Sequence, residues 1–325
     1  MKPVVRRALL AFLALLLVIG VPLLVAPWFG IGTPRSTPVT VVVDKGASLT
    51  AVSADLEKAG LVDAPRQFRL LARVFGGDAP VQAGTYRLIP GDAWRHYMTI
   101  MQEGRVERHA ITIPEGTPSV LVAERLRAET RLIGDIEVPA EGSVLPETYD
   151  FTPGEPRAKV LARMQAAMDK AVAELWPGRS ERSVVKTPAE AITLASIVEK
   201  ETGKAEERRT VAGVYANRLK QGMKLDADPT VIYPITKGKP LGRRIRRSEL
   251  DADTGYNTYL KPGLPKGPIA NPGRASLAAV LDPAPTEALF FVADGSGGHV
   301  FATTLAEHNA NVAKWYALRR QRGEM

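Results

Sequence analysis

The hydrophobic pattern starts with an unbroken apolar run. Ala8 to Phe29 are 22 residues without a charge. At about 1.5 Å per residue, a helix of that length covers roughly 33 Å, enough for a hydrocarbon core of ~30 Å. Lys2, Arg6 and Arg7 precede the run and no basic residue follows it immediately. That asymmetry holds the N-terminus in the cytoplasm and exports the rest of the chain. A cleaved signal peptide has a shorter apolar region, about 7–15 residues, and a small-x-small site. Ala26-Pro27-Trp28 is a poor site of that kind, so residues 1–30 read as an uncleaved stub and anchor.

Two later stretches share a pattern. At a constant offset of 70, VVVDKGASLTAVSADL (41–56) aligns with ITIPEGTPSVLVAERL (111–126). Val41 meets Ile111, Gly46 meets Gly116 and Leu56 meets Leu126. Each copy alternates like a strand, turns at glycine, and continues at helical spacing. Between the copies, Pro65 to Phe75 predicts a helix, Gly84 to Ile89 a strand and Asp92 to Glu103 a helix. Residues 38–133 therefore form a small α+β unit. Strand–glycine–helix units of this kind resemble LysM glycan-binding modules; a plain spacer has the same pattern.

The second domain is expected over 141–325. Its connector, EGSVLPETYDF (141–151), carries a proline. Pro156 to Trp176 predicts an amphipathic helix with Val160, Met164, Ala167, Ala171 and Leu175 on one face. In TPAEAITLASIVEKETG (187–203), Thr187 and Glu190 form a capping box, Pro188 takes the first helical position and Gly203 the far end. Ala191, Leu194, Ala195 and Val198 make the buried stripe, and Glu199 borders it while Lys200 points away. A carboxyl partly buried among apolar groups holds its proton more readily, which suits a general acid; a rim glutamate paired with a lysine fits the same spacing. A helix is expected over Glu206 to Gln221 and another over Leu305 to Arg322, with a hairpin at 290–304. The stretches 223–233 and 254–273 read as polar, proline-rich loops suited to holding sugars.

Composition then removes whole classes. With no cysteine among 325 residues, disulfide scaffolds, thiolate metal sites and cysteine nucleophiles are excluded. The four histidines, His96, His109, His299 and His308, do not pair at helical spacing, which argues against a histidine metal site. No cofactor is called for. The net charge of +8 invites a nucleic-acid reading. Three of the positive charges flank the apolar run and six fall between Lys237 and Arg247, and without them the remainder is −1. That is a membrane flank and one basic loop, not a nucleic-acid face.

Five blocks now stand in order: LASIVEKET (194–202), ADPTVIY (227–233), TGYNTY (254–259), GLPKGPIANPG (263–273) and DGSGGHVF (294–301). Together they resemble the endolytic murein transglycosylases, the YceG-like family, from about residue 38 to 310. The resemblance implies an α+β protein with a single inner-membrane helix, a LysM-like subdomain and a larger catalytic domain outside the cytoplasmic membrane. It implies a lyase acting on peptidoglycan, with glycan strands as substrate and peptidoglycan synthases as candidate partners, and a role in ending glycan elongation. The family's catalytic glutamate matches Glu199, not Glu201. Tyr256, Asn257, Tyr259 and Asn271 fall in family blocks and are types that stack on or bond to sugars; Asp228 and Tyr149 join them as candidates. The connector departs from the family form EGYLFPDTY, with Ser143 and Leu145 where the family has Tyr and Phe.

One carboxyl suffices for the implied chemistry. A glycosidase usually needs two. A lytic transglycosylase adds no water: it protonates the oxygen between N-acetylmuramic acid and N-acetylglucosamine, then takes the muramic C6 hydroxyl proton as a 1,6-anhydro ring closes. One glutamate serves as acid and then base. Two alternatives remain at this point: a hydrolase with Asp228 as second carboxylate, and a non-catalytic glycan-binding scaffold.

Overall fold

The computed structural model describes residues 3–30 and 37–324. Lys2, part of the basic flank, lies outside them. The chain forms two compact units, divided between His109 and Ala110.

The first unit opens with helix α1 (Pro3–Leu15), a π-helical turn (Leu16–Gly20) and helix α2 (Val21–Phe29). Within it, Leu10–Phe29 is long and apolar enough to cross a membrane. Gly30 stops α2 in the left-handed region, φ 88°. Strand β1 (Val39–Val43) then pairs antiparallel with β2 (Gly84–Leu88), joining Val41 to Tyr86 and Val43 to Gly84. Helices α3 (Leu49–Lys58), α4 (Pro65–Phe75) and α5 (Trp94–Gln102) share the core of this two-stranded sheet. The alternation of β1 is the cause: Val41 and Val43 point inward while Val42 faces water. They meet Val52, Leu56, Phe68, Tyr86, Tyr97 and Met101 in one core, and Trp28 of α2 belongs to it.

The second unit carries β3 (His109–Thr112), α6 (Ser119–Ala128), β4 (Thr148–Phe151) and α7 (Arg157–Leu175). These are followed by α8 (Pro188–Glu201), α9 (Arg208–Lys220), α10 (Asp228–Thr236), a short α11 (Arg247–Leu250) and α12 (Arg274–Leu281). The hairpin β5 (Phe290–Ala293) and β6 (His299–Ala302), antiparallel as expected, precedes α13 (Leu305–Gln321). The repeat is divided by this arrangement. Its first copy pairs with β2, whereas Ile111, Ile113, Val122 and Leu126 of the second pack with Phe151, Val160 and Met164 in the larger unit. The grouping of 38–133 as one body therefore does not follow the packing. The reason is β3, whose partner is β4.

Helix α8 is the axis of the larger core. Thr187 caps it by accepting the Glu190 N–H at 3.2 Å, with Pro188 in the first turn. The expected stripe is buried, but so are Thr193, Ser196 and Ile197, so the helix is enclosed almost all round. It ends at an extended Thr202, not through a left-handed glycine at Gly203. Two further elements differ from expectation. The stretch read as loop at 223–233 contains most of α10, and α12 follows directly on the GLPKGPIANPG block at 263–273. Pro229 sits in the first turn of α10, where its missing N–H costs nothing.

Candidate active site

Glu199 stands on the last turn of α8, and its side chain is only 5% exposed. Three pieces of the larger unit close around it. The N-terminus of α12 supplies the Gly273 N–H, which donates to Glu199 Oε2 at 2.8 Å. Helix α9 supplies Arg208, whose Nη2 lies 3.6 Å from Glu199 Oε1. The turn after β3 brings Gly116 so close that an added Cβ would meet Glu199 Cγ at 3.3 Å. Glycine is doubly required there, since φ is +70°. A Cβ on Gly273 would displace the Glu115 carboxylate, whose Oε1 lies 2.0 Å from that position, so a larger residue there would disturb the Glu115–Arg208 contact. The helix terminus and the guanidinium both favour negative charge at this point.

The same Arg208 nitrogen lies 3.3 Å from Glu115 Oε2. Glu115 is thus a second carboxylate at the site, and sequence reasoning passed over it. Its signal was the Pro-Glu-Gly turn of the second repeat copy, which pattern alone reads only as a turn. Lys200, expected to point away, reaches back to the Gly116 carbonyl at 3.4 Å. Beside these groups lies a cavity of about 460 Å³, lined by Glu115, Gly116, Lys200, Pro229, Tyr233 and Ile269 among others. Small-molecule and glycan pockets run to ~300–1,000 Å³. Among the described residues no cluster of three metal-ligating side chains occurs.

Glu201, two residues on, lives in a different medium. Its Oε1 is sealed from solvent without a hydrogen-bond partner. Burial pushes its carboxyl up from the ordinary 4.5 to about 7, against a bond from the Tyr215 hydroxyl, with the Asp228 charge raising it further. Asp228 is engaged on this face: the Tyr259 hydroxyl donates to it at 2.7 Å. Burial and that same carboxylate push the Tyr259 hydroxyl upward. Asp226 lies 3.4 Å from Arg218. The loop acids therefore gather with Glu201, whereas Glu199 is surrounded by Gly273, Arg208 and Gly116, and shares Arg208 with Glu115.

Comparison with known proteins now decides the family. The YceG-like family profile matches residues 41–314. The chain belongs to the YceG-like family. It is similar to the endolytic murein transglycosylase of Bacillus subtilis, 28% identical over 320 residues that cover 88% of this chain and 87% of that one. The Streptococcus pneumoniae protein of the same name (strain D39) is 28% identical over 85% of this chain, which spans 58% of that longer relative. The crystal structure of a YceG-like protein of Listeria monocytogenes superposes with a TM-score of 0.52 at 27% identity, covering 85% of this chain and 99% of that one.

The residues chosen from the family blocks separate sharply. Asn271 is fully buried. Its amide donates to Thr117 O and Ser119 Oγ, at 2.9 and 3.0 Å, and its Oδ1 accepts the Val144 N–H at 3.0 Å. Asn257 donates to the carbonyls of Leu250 and Ala252 and accepts the Tyr259 N–H. Tyr149 is buried, with its hydroxyl on the Leu145 carbonyl at 2.6 Å. These three spend their polar atoms inside the protein, because each holds a loop whose backbone has no ladder of its own. Tyr256 packs against Tyr233, ring centroids 4.9 Å apart, with Lys266 4.8 Å from its ring. Tyr233 lines the cavity, and its hydroxyl bonds Glu141, whose burial pushes that carboxyl upward. Tyr233 and Glu115, unselected by sequence, lie nearer the candidate cleft than the asparagines do.

Proposed function

We propose that this protein is a membrane-anchored lytic transglycosylase that cuts nascent peptidoglycan strands internally, with Glu199 as its general acid and base. The observation that carries the reading is the setting of Glu199: a rigid, capped helix holds it against Gly116, which lines the cavity, and its donors suit the carboxylate left once the proton is delivered. The relatives named endolytic murein transglycosylases support the substrate class.

The atoms balance without water. Glu199 gives its proton to the glycosidic oxygen, and the bond from muramic C1 to that oxygen breaks. The C6 hydroxyl attacks C1, its proton passes to Glu199, and a 1,6-anhydro ring closes as the acid is restored. Gly273 and Arg208 steady the carboxylate between the two transfers. Glu115 holds Arg208 in place. Strands released in this way cease to be extended, which fits a role in terminating elongation beside peptidoglycan synthases.

The burial of Trp28 in the first unit's core supports an uncleaved anchor in the cytoplasmic membrane, with the chain after the span outside the cytoplasm. The first unit then orients glycan near the membrane, as the LysM resemblance suggests.

A hydrolase reading keeps one specific support: Glu115 shares a guanidinium with Glu199, and two carboxylates at short range are the hydrolytic arrangement. The test separates the two. Glu199→Gln should fold normally and lose about 10²–10⁴-fold in glycan cleavage, the usual worth of one positioned acid/base. Glu115→Gln should weaken cleavage far less if Glu115 only holds Arg208. Equal losses in both variants would favour hydrolysis, and full activity in Glu199→Gln would remove the assignment.

A further inference from the structure

Helix α4 is built unlike the other surface helices of its unit. Phe68, Leu71 and Ala72 face the core, yet Leu70 and Val74 on its other side stand 53% and 62% exposed, and Phe75 at its end is 49% exposed. Its eleven residues, PRQFRLLARVF, contain three arginines and no acid. Apolar side chains gathered on an outward face, flanked by arginine, are the composition of a helix that lies in a membrane interface.

Its position agrees. The Gln67 side-chain amide donates to the Leu24 carbonyl at 2.5 Å. The Phe75 ring lies 5.9 Å from Phe29 and 6.3 Å from Trp28, and Trp28 lies 6.3 Å from Phe68. Arg95, from α5, stands 5.7 Å over the Phe29 ring. So α4 is fastened along the last two turns of the apolar span. Leu24 precedes Phe29 by five residues, about 7.5 Å of helix. If the span fills the hydrocarbon core, α4 lies about 7.5 Å inside its outer edge at Gln67 and level with that edge at Phe75.

We propose that α4 docks on the bilayer surface, with Leu70 and Val74 at the acyl boundary and Arg66, Arg73 and Arg95 on anionic lipid headgroups. The proposal rests on the reading of Leu10–Phe29 as a membrane span. The contact continues that span, and long arginine stems can lie along apolar surface while their heads meet phosphate. Docking would fix the height of the first unit above the membrane, where new glycan emerges.

The absence of cysteine makes the test direct. Val74→Cys, Leu17→Cys and Glu57→Cys each place one environment-sensitive fluorophore in the full chain. The protein is reconstituted in phosphatidylcholine vesicles with or without phosphatidylglycerol. The label at 74 should be quenched by a nitroxide lipid and be several-fold less open to aqueous iodide than the label at 57. Replacing Arg66 and Arg73 by glutamine should lower the docked-to-undocked ratio about fivefold per arginine in the anionic vesicles, and leave it unchanged in the neutral ones. If the label at 17 meets the nitroxide while that at 74 is as open to iodide as that at 57, the docking is refuted and the span stands. If the label at 17 is itself open to iodide, the span reading fails and takes this one with it. Protection at 74 that appears only as protein is crowded per vesicle would point to a second copy, and would also overturn the proposal.

Discussion

Glu199 and Glu201 sit two residues apart on α8, rotated about 200° around its axis, and so face different neighbours. Spacing and family resemblance single out Glu199 in the sequence. What surrounds Glu201 was not legible, because Tyr215 and Asp228 arrive from α9 and α10. The upward shift of Glu201 has a consequence for stability. Its folded-state value of about 7 exceeds the ordinary 4.5. Between those pH values the folded chain holds a proton that the unfolded chain releases. The contribution of Glu201 to stability is therefore full below about pH 4.5, falls as pH rises to about 7, and is level beyond, a loss on the order of 3 kcal/mol. Glu201→Gln should remove this slope, so that denaturation midpoints at pH 8 rise relative to the parent chain. Parallel pH profiles for the two would show that the carboxyl is solvated.

At the scale of elements, helices with strong periodicity or caps, α3, α7, α8 and α13, lie close to where their patterns place them. Helices α10 and α12 were hidden for local reasons. The nine residues of α10 contain Pro229 and Pro234, and α12 is a mere eight residues. Both are held by tertiary packing, which no window of sequence reveals. The asparagines of the family blocks belong here too. Asn and polar loops suggested sugar contacts, whereas Asn271 ties the turn after β3 to the connector before β4. Asn271→Ala would strand the Val144 N–H and its partners in a buried site. It should cost about 3 kcal/mol, read by chemical denaturation, and leave glycan affinity per folded molecule unchanged. Lost affinity at parental stability would return Asn271 to the cleft.

For the whole molecule, the apolar helix ending at Phe29 and the core of the first unit are one packed body through Trp28, 2% exposed. The apolar run was plain in the sequence; its fusion with the core was not, because Trp28 reads equally well as an interfacial aromatic. Trp28→Ala should destabilise that unit by about 3–5 kcal/mol, as for other buried tryptophans, seen as earlier protease cutting between residues 37 and 109. An unchanged digestion pattern would mean that the span and the unit part in solution. Chain retained to its N-terminus in membrane fractions, by intact mass, follows from the same packing.

The central claim is that one glutamate cleaves the glycan without water. The decisive measurement is the mass of the new glycan ends after digestion of purified strands in ¹⁸O-labelled water. The account predicts 1,6-anhydro-muramic ends, lighter than hydrolysed ends by one water and free of label. Reducing ends carrying ¹⁸O would contradict it, and would make Glu115 the first residue to examine as the second carboxylate.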